Sequence, residues 1–198
     1  MQTVQKILDY LDLHLNHKER ICCLAQNSNI QCGEYAYNFD KIKNCICGDK
    51  MRSCDALYIN KNINLIEFKT GFDAPESNAS DTLKKENMLL KIQIKAGDSL
   101  RILENFILKK AINGDEEIRA RKIMCAVIDS NEPVIAEHVY VDILSEHAGS
   151  QVSSNWKENV AAALSKYRKE SLSGGKLFYD DTFVLYDYEF DENFCRFK

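Results

Sequence analysis

Three charged residues interrupt an otherwise apolar stretch of this chain: Asp55, Glu67 and Lys69, within CDALYINKNINLIEFKTG at 54–71. Residues 54–59 and 63–69 are rich in branched and aromatic side chains, and Asn60-Lys61-Asn62 between them suits a turn because asparagine tolerates positive φ. The pattern predicts a β-hairpin. With pairing symmetric about Lys61, Ile59 faces Ile63, Leu57 faces Leu65 and Asp55 faces Glu67. Side chains alternate along a strand, so Lys69 shares the face of Glu67 while Phe68 points the other way. Carboxylates placed side by side repel, and burying them is costly, unless a cation lies between them. Magnesium is the natural ion, being hard, oxygen-seeking and content with one or two carboxylates and several waters; manganese is the alternative. A lysine two residues on can orient or deprotonate an attacking water and stabilise charge developing on a phosphoryl group.

An aspartate, a short strand and turn, then Glu-x-Lys at the end of the next strand resembles the PD-(D/E)xK nuclease superfamily, here as Asp55 followed by Glu67-Phe68-Lys69. Cys54 stands where the family name has proline. The resemblance implies a restriction-endonuclease-like α/β fold, an α-β-β-β-α-β core with a mixed sheet flanked by helices. It also implies metal held by Asp55 and Glu67 with help from the Phe68 carbonyl, Lys69 beside the nucleophilic water, and DNA as substrate. The layout extends over about residues 1–130, the motif over this hairpin alone. Relatives often carry a further acid on the first helix, a place Glu19 or Glu34 could fill without any motif around either. The Gln-x-x-x-Tyr motif of some relatives is not met, since Gln93 is followed four residues later by Gly97. The alternative is a nuclease-fold protein without activity that serves binding or regulation.

The hairpin needs cover on both sides. Leu57, Ile59, Ile63 and Leu65 line the face of the charges, and Ala56, Tyr58, Ile66 and Phe68 the other, so helices are expected on both. Val4, Ile7, Leu8, Leu11 and Leu15 recur at helical spacing over residues 3–16, with Thr3 available as N-cap. Residues 21–33 read as helix extension or loop, and 35–47 as a strand completing a meander with the hairpin before Gly48-Asp49 turns the chain. Residues 70–81 read as a loop leaving the site, able to move over substrate. Ser80 or Asp81 then caps a long helix whose stripe is Leu89, Ile92, Ala96, Leu103 and Phe106. Lys84, Lys91 and Lys95 form a positive row on its other side, a candidate contact for nucleic-acid phosphates. Asn113-Gly114 ends that helix, 122–129 reads as a buried strand, and 134–144 as another. Asn155 and Glu158 cap a helix striped by Trp156, Val160, Ala163, Leu164 and Tyr167 and ended by Gly174-Gly175. Residues 182–190 alternate as a final strand, whose Tyr186, Tyr188 and Phe190 fill a core or stack bases.

The 198 residues suit a single domain, 1–198, with a real core. No apolar run approaches the roughly 20 residues that span a bilayer. Met1 leads straight into an amphipathic pattern instead of a signal peptide, so a cytoplasmic protein without membrane contact is expected. A net charge of -4 means that DNA contact must come from a local patch. A protein partner or a second copy stays open. Six of the eight cysteines fall within 22–54 (Cys22, Cys23, Cys32, Cys45, Cys47, Cys54), with Cys125 and Cys195 apart. In a cytoplasm they are reduced thiols. Adjacent Cys22-Cys23 and Cys45-x-Cys47 are not the paired Cys-x-x-Cys of common zinc sites, although a thiolate-held metal in this third of the chain is a second functional reading. His138 and His147 read as structural or surface histidines, with no pair at ligand spacing.

Overall fold

Among the described residues, six strands form one mixed sheet in the order in which they occur in the chain, and helices lie on both faces. The computed structural model describes residues 2–26, 28–75, 77–112, 118, 120–129, 156–169 and 178–194. Helix α1 (Gln2–His14) is followed by β1 (Lys18–Arg20), the short α2 (Ile21–Leu24), β2 (Tyr35–Asn38) and α3 (Phe39–Cys47). The hairpin is β3 (Ala56–Ile59) and β4 (Ile63–Lys69). After it come α4 (Ala79–Ile102), a π-helical stretch Leu103–Leu108, α5 (Lys109–Ala111), β5 (Lys122–Ile128), α6 (Trp156–Ser165), β6 (Asp181–Tyr186) and α7 (Asp187–Asn193). β1 to β4 run as an antiparallel meander, and β4, β5 and β6 are parallel.

The register of the hairpin is the symmetric one, with Ile59 opposite Ile63, Leu57 opposite Leu65 and Ala56 opposite Ile66. Its two faces feed two apolar clusters. Leu57, Leu65, Met124 and Ala126 pack with Ile7 and Leu11 of α1, Ile92 and Ala96 of α4, and Val160 and Leu164 of α6. Ala56, Ile66, Phe68, Cys125 and Val127 pack with Ile21 of α2, Phe190 of α7 and the adjoining Phe194. Each such aliphatic or aromatic side chain removed from water contributes about 1.5–3 kcal/mol, which sandwiches β4 and β5 firmly. The close approach of α4 and α6 depends on Gly97, where a Cβ would come within 3.1 Å of the Tyr167 ring.

Four expectations change. Residues 35–47 are not one strand: β2 stops at Asn38, whose side-chain oxygen accepts the Lys41 N–H at 2.9 Å and starts α3. Phe39, Ile42 and Ile46 then recur at helical, not strand, spacing. The last strand likewise ends at Tyr186, because the Glu189 carboxylate accepts the Tyr186 N–H at 2.7 Å and caps α7; Tyr188 and Phe190 are helical. Helix α4 is capped by Asn78, which accepts from the N–H groups of Ser80 and Asp81, so neither of those is the cap. Its stripe follows expectation through Leu103, but the π-helical stretch inserts an offset, and Ile107 takes the core place expected of Phe106. The readings for 113–114, 134–144, His138, His147, Asn155, Gly174-Gly175 and Cys195 lie outside the described residues. Among those described, no helix is long and apolar enough to cross a membrane.

Candidate active site

Asp55 sits just before β3 and is fixed from several directions. Its N–H donates to the Ile66 carbonyl (3.0 Å), and its own carbonyl accepts from Phe39 N–H (3.0 Å) at the head of α3. The preceding Cys54 N–H donates to the Ser99 hydroxyl on α4 at 2.7 Å, tying this end of the strand to the long helix. The Asp55 carboxylate accepts the Phe68 N–H through Oδ2 at 2.7 Å. Glu67 is opposite, on the same face of the hairpin. Its parallel-strand neighbour is Ala126, whose short side chain leaves the glutamate room within the sheet's covered face. Because the N–H and C=O of a strand residue point to the same side, the Phe68 carbonyl also lies toward Asp55.

The cation between the carboxylates is a lysine. Lys95 Nζ, from α4, lies 2.8 Å from Glu67 Oε2 and 3.1 Å from Asp55 Oδ1. Glu67's side chain is only 1% exposed, whereas Asp55 and Lys95 keep 20% and 24%, so solvent reaches the site at the aspartate and the lysine. Burial, followed by the Asp55 charge, pushes the Glu67 carboxyl well above the usual range, with Lys95 and Lys69 pulling against it. Burial works against the Lys95 charge too, but Glu67 and Asp55 outweigh it and raise the ammonium above the ordinary lysine value. Lys95 is thus set apart from Lys84 and Lys91. Lys84 is exposed and paired with Asp81 at 2.9 Å, and Lys91 is exposed. The spacing that shows this was in the sequence: Lys95 follows Ile92 by three residues, precedes Ser99 by four and adjoins Ala96, all three buried.

Lys69 ends β4 on the Glu67 face, half-buried, and its side chain makes no hydrogen bond or ion pair among the described residues. Beyond it, a residue missed by sequence reasoning anchors the loop. Asp129, just past β5, accepts N–H bonds from Gly71, Phe72 (2.8 Å) and Asp73 (3.3 Å). Gly71 takes φ 104°, a conformation that a side chain would strain. Phe72 is buried against Trp156, with ring centroids 5.7 Å apart. The first turn of the loop is therefore tied down. The hydrogen bond of the Asp73 side chain with Asp129, more than burial, raises the Asp73 pKa. Asp129→Ala should cost about 2–3 kcal/mol, because it strips a charged acceptor from two well-placed N–H groups in partly solvated surroundings. A lower urea midpoint at unchanged m-value is the expected reading, and an unchanged midpoint would deny the anchor.

Elsewhere, Glu19 on β1 pairs with Lys41 at 2.6 Å and with Asn38, not with the hairpin carboxylates. The seven described cysteines form no disulfide, and Cys45 Sγ lies 3.6 Å from His17 Nε2. Among the described residues no group of three or more His, Cys, Asp or Glu side chains could hold a metal ion. At the hairpin the oxygen donors are two carboxylates, Asp55 and Glu67, and the Phe68 carbonyl. These are hard oxygen donors, already gathered about a positive charge, and are of the type that could hold magnesium or manganese. Comparison of the chain with models of known protein families, with curated proteins and with solved structures finds no match.

Proposed function

We propose that this protein is a metal-dependent nuclease that hydrolyses DNA phosphodiester bonds, built on a restriction-endonuclease-like core. The observation that carries the reading is the convergence of Asp55 and Glu67 about one cation position, with Lys69 two residues on and on the same face. The element order supports the core: α1, the meander β2-β3-β4, the crossing helix α4, then β5 parallel to β4. Asp55, Glu67 and the Phe68 carbonyl would hold the ion. Bound there, it would polarise a phosphoryl oxygen and a water. Lys69 orients that water and offsets charge that develops on the phosphate. Lys84 and Lys91 supply phosphate contacts along α4.

One observation favours a second reading. A lysine already pairs with both carboxylates, as expected of a nuclease fold whose site has become structural, in a protein that binds or regulates. Incubating the protein with single- and double-stranded DNA and RNA, with magnesium or manganese, separates the two. Metal-dependent cleavage of DNA that disappears in Asp55→Asn is the expected result, and a preparation inert toward all four substrates leaves only the binding reading.

A further inference from the structure

The ammonium of Lys95 and a divalent ion would compete for the same oxygens. Lys95 Nζ is within hydrogen-bond distance of both Glu67 Oε2 and Asp55 Oδ1. Asp55 and Glu67 would hold the ion by the same carboxylates that hold Nζ, and two like charges in these partly buried surroundings would repel strongly. Among the described residues nothing pins the lysine beyond these carboxylates: Nζ pairs with Asp55 and Glu67, and about a quarter of its side chain is exposed. Its four-carbon stem gives the ammonium a way out to water. Charge balance points the same way. Asp55 and Glu67 can carry two negative charges and Lys95 and Lys69 two positive ones, so an arriving divalent ion leaves a surplus of positive charge that only an anionic substrate offsets.

We infer that Lys95 is a displaceable counter-cation, which holds Asp55 and Glu67 together in the ion-free protein, withdraws when a divalent ion binds, and is then free to pair with the substrate phosphate. This rests on the reading of the hairpin as a divalent-ion site. It makes Lys95 a positioning residue that sets the ion concentration at which the site loads, in place of a member of the exposed lysine row. Ion binding is expected to tighten when nucleic acid is present, since the diester supplies the missing negative charge.

Calorimetric titration with manganese chloride at fixed ionic strength tests the inference without recourse to activity. Lys95→Met should bind manganese at least tenfold tighter than wild type, and Asp55→Asn should abolish binding. Thermal melting checks that Lys95→Met is folded; Lys95→Gln, which keeps a polar tip, takes its place if it is not. In wild type, the Lys95 ammonium protons should be visible by NMR without ion and should exchange too fast to see once magnesium is added. If manganese binds Lys95→Met no more tightly than wild type, and Asp55→Asn still abolishes binding, Lys95 is no competitor and the inference fails while the ion site stands. If no protein shows Asp55-dependent binding, the ion site itself falls and the inference with it.

Discussion

Lys69→Ala is expected to lose cleavage by a factor of about 10² to 10⁴, the usual range for removing a group that assists proton transfer or stabilises charge on the reacting phosphate. Folding should barely notice. The Lys69 side chain makes no hydrogen bond or ion pair among the described residues, and the Lys69 carbonyl that accepts from Asp129 N–H belongs to the backbone. Stability should therefore stay within about 0.5 kcal/mol of wild type. Manganese affinity should also hold, because Asp55, Glu67 and the Phe68 carbonyl are untouched. Single-turnover rates with enzyme in excess isolate the chemical step from substrate binding, and calorimetry reads the ion separately. A variant that cleaves at the wild-type rate would take Lys69 out of the reaction and leave Lys95 as the lysine to examine.

Much of this site is legible in the sequence because a hairpin's register follows from the centre of its turn. Placing Lys61 at that centre aligns Asp55 with Glu67, and strand alternation then adds Lys69 to their face without further knowledge of the fold. Helix α1 and strand β5 are equally legible, one from a single amphipathic period and the other from an unbroken apolar run buried on both sides. The misreadings fall where a strand hands over to a helix with no loop between. At Asn38-Phe39 and Tyr186-Asp187 the apolar residues continue across the junction, and what breaks the strand is a capping side chain, Asn38 in one case and Glu189 in the other. Asn38 three residues before Lys41, with Asp40 in the first turn, is a start signal that could have been weighed against the alternation. Asp129 is another matter. It joins the loop after β4 across 56 to 58 residues of sequence, and no local pattern reports a contact of that range. Lys95 lies between these cases: it reads as one of a lysine row opposite the α4 stripe, but its spacing from buried Ile92, Ala96 and Ser99 sets it beside that stripe, and its partners come from the folded sheet.

Glu67→Gln should abolish cleavage and yet leave the ion-free protein as stable as wild type at neutral pH, or more so. Burial and Asp55 raise the Glu67 carboxyl well above 4.5, its ordinary value, so the folded state holds that proton more tightly than the unfolded chain does. The corresponding stability is fully present below about pH 4.5 and is lost as pH rises through the folded value. Glutamine has no proton to lose. The variant should therefore match wild type at pH 4 and be ahead of it by pH 8, the difference growing with pH across that window. Lys95 is not stranded by the change, since Asp55 Oδ1 remains 3.1 Å from it and the amide oxygen of glutamine can still accept. Magnesium binds only the folded state, so it should raise the wild-type melting temperature and do little for the variant, which has lost a charged ligand. Melting curves at several pH values, with and without magnesium, read all of this in one series. A variant melting well below wild type at pH 8 would mean that the Lys95 ion pair outweighs the cost of burying Glu67. If magnesium also shifted both proteins alike, Glu67 would hold no ion, and the hairpin carboxylates would be a structural pair.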